Sequence, residues 1–195
     1  MGRSASITRE TRETQITVTL DLDGGGKTAV ETGVPFFDHM LDAFGRHGLF
    51  DLTVAAKGDV EIDAHHTVED VGIVLGQAVA KALADKAGIT RYGDACIPMD
   101  EALVLAAVDV SGRGGLYYDV SLPIEIIGTF DTTLAKEFLV ALVTNAGITL
   151  HVRSLAGENA HHIVEAAFKA VARALAQAVA LDARVTGVPS TKGAL

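Results

Sequence analysis

A five-residue phrase occurs twice in this chain, and it governs how the rest can fold. His65-His66-Thr67-Val68-Glu69 and His161-His162-Ile163-Val164-Glu165 stand ninety-six residues apart. Each opens an apolar stretch of helical period, the first reaching about Lys86 and the second about Leu181. Before each lies a segment of period two, Leu49 to Ala56 and Ile148 to Ser154, and before that a helix introduced by an aromatic-Asp pair, Phe37-Asp38 and Phe130-Asp131. Three strand-like runs begin each half: Ala5 to Arg9, Gln15 to Leu22 and Lys27 to Glu31, then Arg91 to Met99, Ala102 to Val110 and Leu116 to Leu122. Asp23-Gly24-Gly25-Gly26 and Ser111-Gly112-Arg113-Gly114-Gly115 read as hairpin turns. The chain is therefore expected to be α+β, a duplicated βββαβα unit with two-layer sheets and with the helices packed between the halves. Residues 1–90 form the first repeat, 91–183 the second, and 184–195 a tail outside both.

An apolar fraction of 49% and a mean hydropathy of +0.32 exclude disorder and point to subunit contact, and the alanine-rich second helix suits close helix approach. The formal charge of −9, with no basic run longer than two residues, argues against a nucleic-acid partner. One cysteine, Cys96, forms no internal disulfide, and Met1 to Glu10 carries no apolar leader. A cytoplasmic protein with no membrane partner is the expectation.

On a helix, His65 and Glu69 share a face one turn apart, whereas His66 points about a quarter turn away. Adjacent imidazoles then serve different ions, and the duplicated phrase predicts two metals shared between the repeats. Nitrogen and carboxylate donors suit Mn, Fe, Co, Ni or Zn, with Mn(II) and Zn(II) leading on geometry. The blander alternative is that the pairs are solvated helix starts, with Asp63 as the first cap. His39 and Glu137, twenty-six and twenty-four residues before the two pairs, are candidates to complete the ligand sets; alternatively they are a satisfied histidine and a surface charge. His47 and His151 have weaker claims. Arg91, Arg113 and Lys192 sit on loops with glycine nearby, where free N–H groups and a cation hold phosphate, although loop cations are often merely solvated.

These motifs resemble those of the imidazoleglycerol-phosphate dehydratases of histidine biosynthesis, and the resemblance spans essentially the whole chain. It rests on Phe37-Asp38-His39-Met40-Leu41-Asp42, His47-Gly48-Leu49-Phe50-Asp51, Asp63-Ala64-His65-His66-Thr67-Val68-Glu69-Asp70, Gly147-Ile148-Thr149-Leu150-His151, Gly157-Glu158-Asn159-Ala160-His161-His162-Ile163-Val164-Glu165-Ala166 and Pro189-Ser190-Thr191-Lys192-Gly193, in that order. The opening Arg9 to Thr14 is similar as well. The resemblance implies a dimanganese lyase with two Mn(II) per subunit, assembled as a homo-oligomeric shell of 24 subunits with sites at the subunit interfaces.

Carried over by position, its metal ligands fall on His39, His65, His66, Glu69, Glu137, His161, His162 and Glu165, with Glu137 where many members carry His. A partition consistent with the helix geometry gives one ion His65, Glu69, Glu137 and His162, and the other His39, His66, His161 and Glu165. Phosphate-binding groups fall on Arg91, Arg113, Ser190 and Lys192, and substrate and proton-transfer groups on Glu13, Asp100 and Lys169. Lys169 lies one turn beyond Glu165, and its first-repeat counterpart Ile73 cannot do its work. The implied reaction is dehydration of a small phosphorylated imidazole, imidazoleglycerol phosphate, to imidazoleacetol phosphate. The ring as its anion expels the neighbouring hydroxyl, and loss of the next carbon's proton gives an enol that becomes the ketone. Read from the residues alone, a metallohydrolase and a shell protein with purely structural metals remain as rivals.

Overall fold

The structure is a computed structural model that describes residues 2–195. The first half runs β1 (Ser4–Glu10), β2 (Thr14–Asp21), β3 (Thr28–Glu31), α1 (Pro35–Gly48), β4 (Asp51–Gly58) and α2 (His65–Leu83). The second runs β5 (Tyr92–Met99), β6 (Ala102–Asp109), β7 (Gly115–Asp119), α3 (Leu134–Ala146), β10 (Thr149–Ala156) and α4 (Ala160–Val179). Between β7 and α3 a small hairpin, β8 (Ile126–Ile127) and β9 (Phe130–Asp131), has no counterpart in the first half. The two main sheets have the same order, β1-β2-β4-β3 and β5-β6-β10-β7, which is the duplication expressed in space.

Both glycine-rich segments expected to close hairpins do something else. β3 pairs parallel with β4, and β7 parallel with β10, so each loop carries the chain across the strand that later fills the gap. Local turn chemistry signals a reversal, but it does not say which edge remains free for pairing. The loop is fastened to that intervening strand: Asp51, at the start of β4, accepts from Gly25 N at 2.8 Å and Lys27 N at 2.9 Å. In the second half Thr149, at the start of β10, donates to the Arg113 carbonyl and shares a hydrogen bond with Ser111. The two aromatic-Asp pairs also differ in position. Phe37-Asp38 lies inside α1, which Pro35 begins, whereas Phe130-Asp131 forms β9 and Asp131 accepts from Thr133 N at 2.8 Å in the turn that leads into α3.

Inward residues of β2 (Ile16, Val18, Leu20) and β6 (Val104, Ala106, Val108) are buried against α2 and α4. The helices then pack across the duplication, α2 on α3 and α1 on α4. Aromatic rings bind this middle layer together. Phe37 of α1 meets Phe138 of α3 edge-on at 5.3 Å, and Phe138 stacks on Phe168 of α4 at 5.2 Å.

The α2–α3 crossing depends on Gly72 and Gly76, one turn apart on α2. A Cβ at Gly76 would stand 2.5 Å from the Leu142 carbonyl oxygen, and one at Gly72 would stand 2.7 Å from that of Phe138. Backbone cannot yield as a side chain does, so Gly76→Ala is expected to force the helices apart and cost about 1–3 kcal/mol. Urea denaturation of the variant against the parent measures this, and equal stability would show that the crossing has slack.

Candidate functional site

Each paired-histidine phrase begins its helix, and a polar side chain just before it supplies the cap. Asn159 accepts from the backbone N–H groups of His161, at 2.9 Å, and His162; Asp63 accepts from that of His65 at 3.0 Å. The histidine rings are thus released from capping and diverge as helical geometry requires. The rings of His65 and His66 are inclined at 86°, and those of His161 and His162 at 74°.

One compact donor cluster forms where α1 meets α4. His39, His161 and Glu165 each offer a ligand atom, all within 4.8 Å of one another. The nearly buried Glu165 carboxylate lies 3.4 Å from His39 Nε2 and 3.2 Å from His161 Nε2, while Lys169 Nζ approaches its other oxygen at 2.6 Å. Burial acts to raise the Glu165 pKa, but the Lys169 ammonium and His39 hold it below its usual value. Phe36 packs edge-on against His161 at 4.9 Å, holding that ring in place. Two imidazoles and a carboxylate this close fit a divalent cation of the Mn(II) or Zn(II) kind.

The other expected ligands occupy separate places within the chain. His65 and Glu69 stand 3.8 Å apart along α2. His66 turns away from them, its Nδ1 on the Asp59 carboxylate at 3.0 Å and 3.9 Å from Glu13. His162 turns away from His161, its Nδ1 2.6 Å from Glu101 and its Nε2 3.7 Å from Asp100. Glu137 lies on α3 beside a recess lined by Tyr118 and Thr133. A single chain therefore assembles three of the four members of one expected set, without His66, and two of the other, without Glu137 and His162. Of the weaker candidates, His151 stacks on Tyr117 at 4.4 Å on the outer sheet surface, away from the other ligands. His47 sits near Lys169 and Arg173, where burial and those cations lower its pKa.

The expected phosphate residues gather at the far end of α4. Arg91 grips Asp109 with two guanidinium nitrogens, Nε at 2.8 Å, and donates to the Pro189 carbonyl at 2.9 Å, drawing the tail against the mouth of the β5–β6 pair. Ser190 accepts from the Lys192 backbone N–H at 3.2 Å, and the C-terminal Leu195 packs against Gly112 beside Arg113. Arg91 thus holds the tail that bears Ser190 and Lys192 at Pro189, and the end of that tail reaches the loop that bears Arg113.

Sequence reasoning missed the acids that hold these groups. Asp70, buried on α2 directly after Glu69, accepts from Arg9 Nε at 3.0 Å and from the Thr14 hydroxyl, tying the β1–β2 turn that bears Glu13 to the ligand helix. Glu101 accepts from Asn159 N at 2.9 Å, from Glu158 N at 3.2 Å and from His162. No motif marks Asp59 or Glu101 as special, and Asp70 ends the motif Asp63–Asp70 without any sign of what it holds; the usable signal was that Glu101 adjoins Asp100 and closes the same hairpin in its repeat as Glu13 does.

Imidazole and carboxylate donors gathered at helix starts in a duplicated α+β chain define a metal-dependent enzyme. Known proteins make the assignment specific. The family model for imidazoleglycerol-phosphate dehydratase matches residues 32–175. A curated protein of that name from Desulforamulus reducens is 60% identical over 195 residues and is covered over the whole of both chains. Another, from Symbiobacterium thermophilum, is 61% identical over 193 residues, covering 99% of this chain and 93% of its own. Among solved structures, imidazoleglycerol-phosphate dehydratase from Staphylococcus aureus superposes with a TM-score of 0.83 at 40% identity, covering 92% of this chain and 99% of that one. The enzyme from Pyrococcus furiosus does so with 0.84 at 40% identity, covering 97% and 100%. The chain belongs to the imidazoleglycerol-phosphate dehydratase family, hydro-lyases of histidine biosynthesis.

The Glu101–His162 pair makes the stability of metal-free protein depend on pH. Hydrogen bonds from the Asn159 N–H and from His162 pull Glu101 from 4.5 down to about 2, and Glu101 in turn raises His162 above 6.5. The Glu101 contribution is complete above its ordinary pKa and disappears as pH falls toward about 2; the His162 contribution is complete below 6.5 and disappears as pH rises through its raised value. In chelator-treated protein, the destabilisation caused by Glu101→Gln is expected to be largest near about pH 6 and to shrink below about pH 4. Urea midpoints across that range test this, and a constant difference would show that the pair is not linked to folding.

Proposed function

We propose that this hydro-lyase dehydrates imidazoleglycerol phosphate with two Mn(II) ions per chain, at sites shared between copies of the chain. The observation that carries the sharing is the length of α4. His161 lies at its start and Arg91 against its end, where Arg91 N donates to Ala178 O at 2.8 Å. Seventeen residues at about 1.5 Å each separate the two by roughly 25 Å, far beyond the reach of a three-carbon phosphate side chain. The phosphate-binding residues that serve one donor cluster therefore come from another copy. The same sharing accounts for the incomplete ligand sets, with His66, Glu137 and His162 supplied across an interface, and agrees with a homo-oligomer of 24 subunits. In this reading residues 1–90 and 91–183 are the two repeats, and 184–195 is a tail contributing Ser190 and Lys192.

The ions, when bound, would hold the substrate's imidazole as its anion and supply the push needed to release a poor leaving group. The remaining work belongs to side chains. Arg91, Arg113, Ser190 and Lys192 hold the phosphate, so that its binding energy aligns the reacting carbons. Asp100, 3.7 Å from His162, stands at the substrate edge of that cluster. Lys169 is anchored by Glu165 beside the His39–His161 cluster, and Glu13 reaches toward the His66 group from the β1–β2 turn, so the two lie at different clusters. They serve the two proton transfers, one removing the carbon-bound proton and the other protonating the departing hydroxyl. The cytoplasm is its place of work, in keeping with a single free cysteine, Cys96, and with no helix among the described residues long and apolar enough to cross a membrane.

Co-expression tests the shared site directly. His161→Ala and Lys192→Ala proteins are each expected to be nearly inactive, and mixed assemblies of the two are expected to regain turnover of imidazoleglycerol phosphate. Mixtures no more active than their parents would place the whole site within one chain. A second expectation concerns the phosphate end. Loss of one charge-assisted contact of about 1.5–3 kcal/mol through Arg113→Ala lowers kcat/KM by one to two orders of magnitude, and unchanged kinetics would remove Arg113 from the site.

A further inference from the structure

The second histidine of each pair is held by a carboxylate, but the two halves draw that carboxylate from different places. In the first half it is Asp59, the residue after β4, whose two oxygens lie 3.0 and 3.2 Å from His66 Nδ1. In the second half β10 carries a bulge at Ser154/Ala156, so Gly157, where an added Cβ would stand 2.7 Å from Ile163 and 3.1 Å from Ala102, matches Gly58, whose Cβ would meet Thr67 and Thr14, and Glu158 follows in the place of Asp59. Glu158 gives its backbone N–H to Glu101 at 3.2 Å rather than its carboxylate to His162. Glu101, from the β5–β6 turn, takes over and approaches His162 Nδ1 at 2.6 Å, its other oxygen engaged by the N–H groups of Glu158 and Asn159. The place equivalent to Glu101 in the first half, immediately before the first residue of the second strand, is Glu13. Its carboxylate is more than half exposed, 3.9 Å from His66, and makes no side-chain hydrogen bond among the described residues.

We propose that Asp59 and Glu101 are positioning residues, each fixing its histidine through Nδ1 so that Nε2 faces outward as the donor atom, and that Asp59 thereby keeps Glu13 disengaged. A ring whose Nδ1–H is bound to a carboxylate has one tautomer and one orientation, which is how a ligand imidazole is made both basic and directed. The two halves therefore cannot be functionally equal. In the second, the turn acid is consumed in holding His162. In the first, the acid beyond β4 does that work, and the turn acid is left with a carboxylate able to accept a proton. This rests on the reading of His66 and His162 as metal ligands and adds to it the residues that aim them.

The test uses full-length, Mn(II)-loaded protein dialysed against graded chelator, with retained Mn(II) counted by elemental analysis. Asp59→Ala and Glu101→Ala are expected to release part of their metal at 10–100-fold lower chelator than the parent. Asp59→Asn and Glu101→Gln, whose amide oxygens still accept from Nδ1–H, are expected to recover most of the loss. Asp59→Ser and Glu101→Asp, which shorten the reach of the group, carry the same comparison if an alanine variant fails to fold. If His66→Ala and His162→Ala release metal early while the Asp59 and Glu101 variants hold it as the parent does, the positioning role is overturned. If the histidine variants themselves hold all their metal, the ligand reading fails and the positioning role falls with it. At saturating Mn(II), Asp59→Ala is further expected to lower kcat more than Glu101→Ala does, with Asp59→Asn restoring it, because Glu13 is then drawn onto His66. Equal losses of kcat would overturn the claim that Asp59 frees Glu13.

Discussion

Two helices laid on one face of a four-stranded sheet leave a second apolar surface bare, and the other half of this chain is what covers it. The rest of the structure follows from that burial. Because α2 must lie on α3 and α1 on α4, helices from different repeats are brought within van der Waals reach, and Gly72 and Gly76 remove the side chains that would hold them apart. The same crossing sets His39 of α1 beside His161 and Glu165 of α4. The donor cluster is a by-product of covering hydrophobic surface, which is why residues 126 positions apart in the chain meet.

Charge is then organised by carboxylates acting over short distances. Asp63 and Asn159 take the helix-start N–H groups, so the histidines that follow keep their rings for other partners. Asp70 ties the Glu13 turn to α2, and Glu101 ties the Asp100 turn to α4, one acid working from the helix and the other from the turn. Arg91 with Asp109 does the same for the tail at the opposite end. A chain with formal charge −9 can spare these acids because each accepts hydrogen bonds from several donors at once.

The two halves share one plan and differ in its details. Glu158, which gives only a backbone N–H to Glu101, stands where Asp59 does in the first half, Ile73 stands where Lys169 does in the second, and the β8–β9 hairpin belongs to the second half alone among the described residues. A symmetric ancestor would have two half-sites of one kind. The present chain divides the labour, with a lysine beside one cluster and an unengaged glutamate beside another.

The sequence by itself determined the duplication, the α+β class and the order of the elements that the two halves share, though not the β8–β9 hairpin, because periodicity and the repeated histidine phrase are local and survive without knowledge of packing. It also determined that adjacent histidines diverge, since 100° per residue is a property of any helix. Turn-like glycines misled on the pairing of β3 and β7, because pairing is decided by which strand edge remains open once β4 and β10 have inserted. Helix ends shifted by a few residues, α2 stopping at Leu83 and α4 at Val179, where local propensity gives way to contacts. The holding acids Asp59 and Glu101 carry no pattern of their own, and the motif that ends in Asp70 does not say what Asp70 holds. Only the tertiary structure decided their roles, because a carboxylate becomes a support when folding brings a donor within about 3 Å of it, and that distance is not encoded in any spacing along the chain.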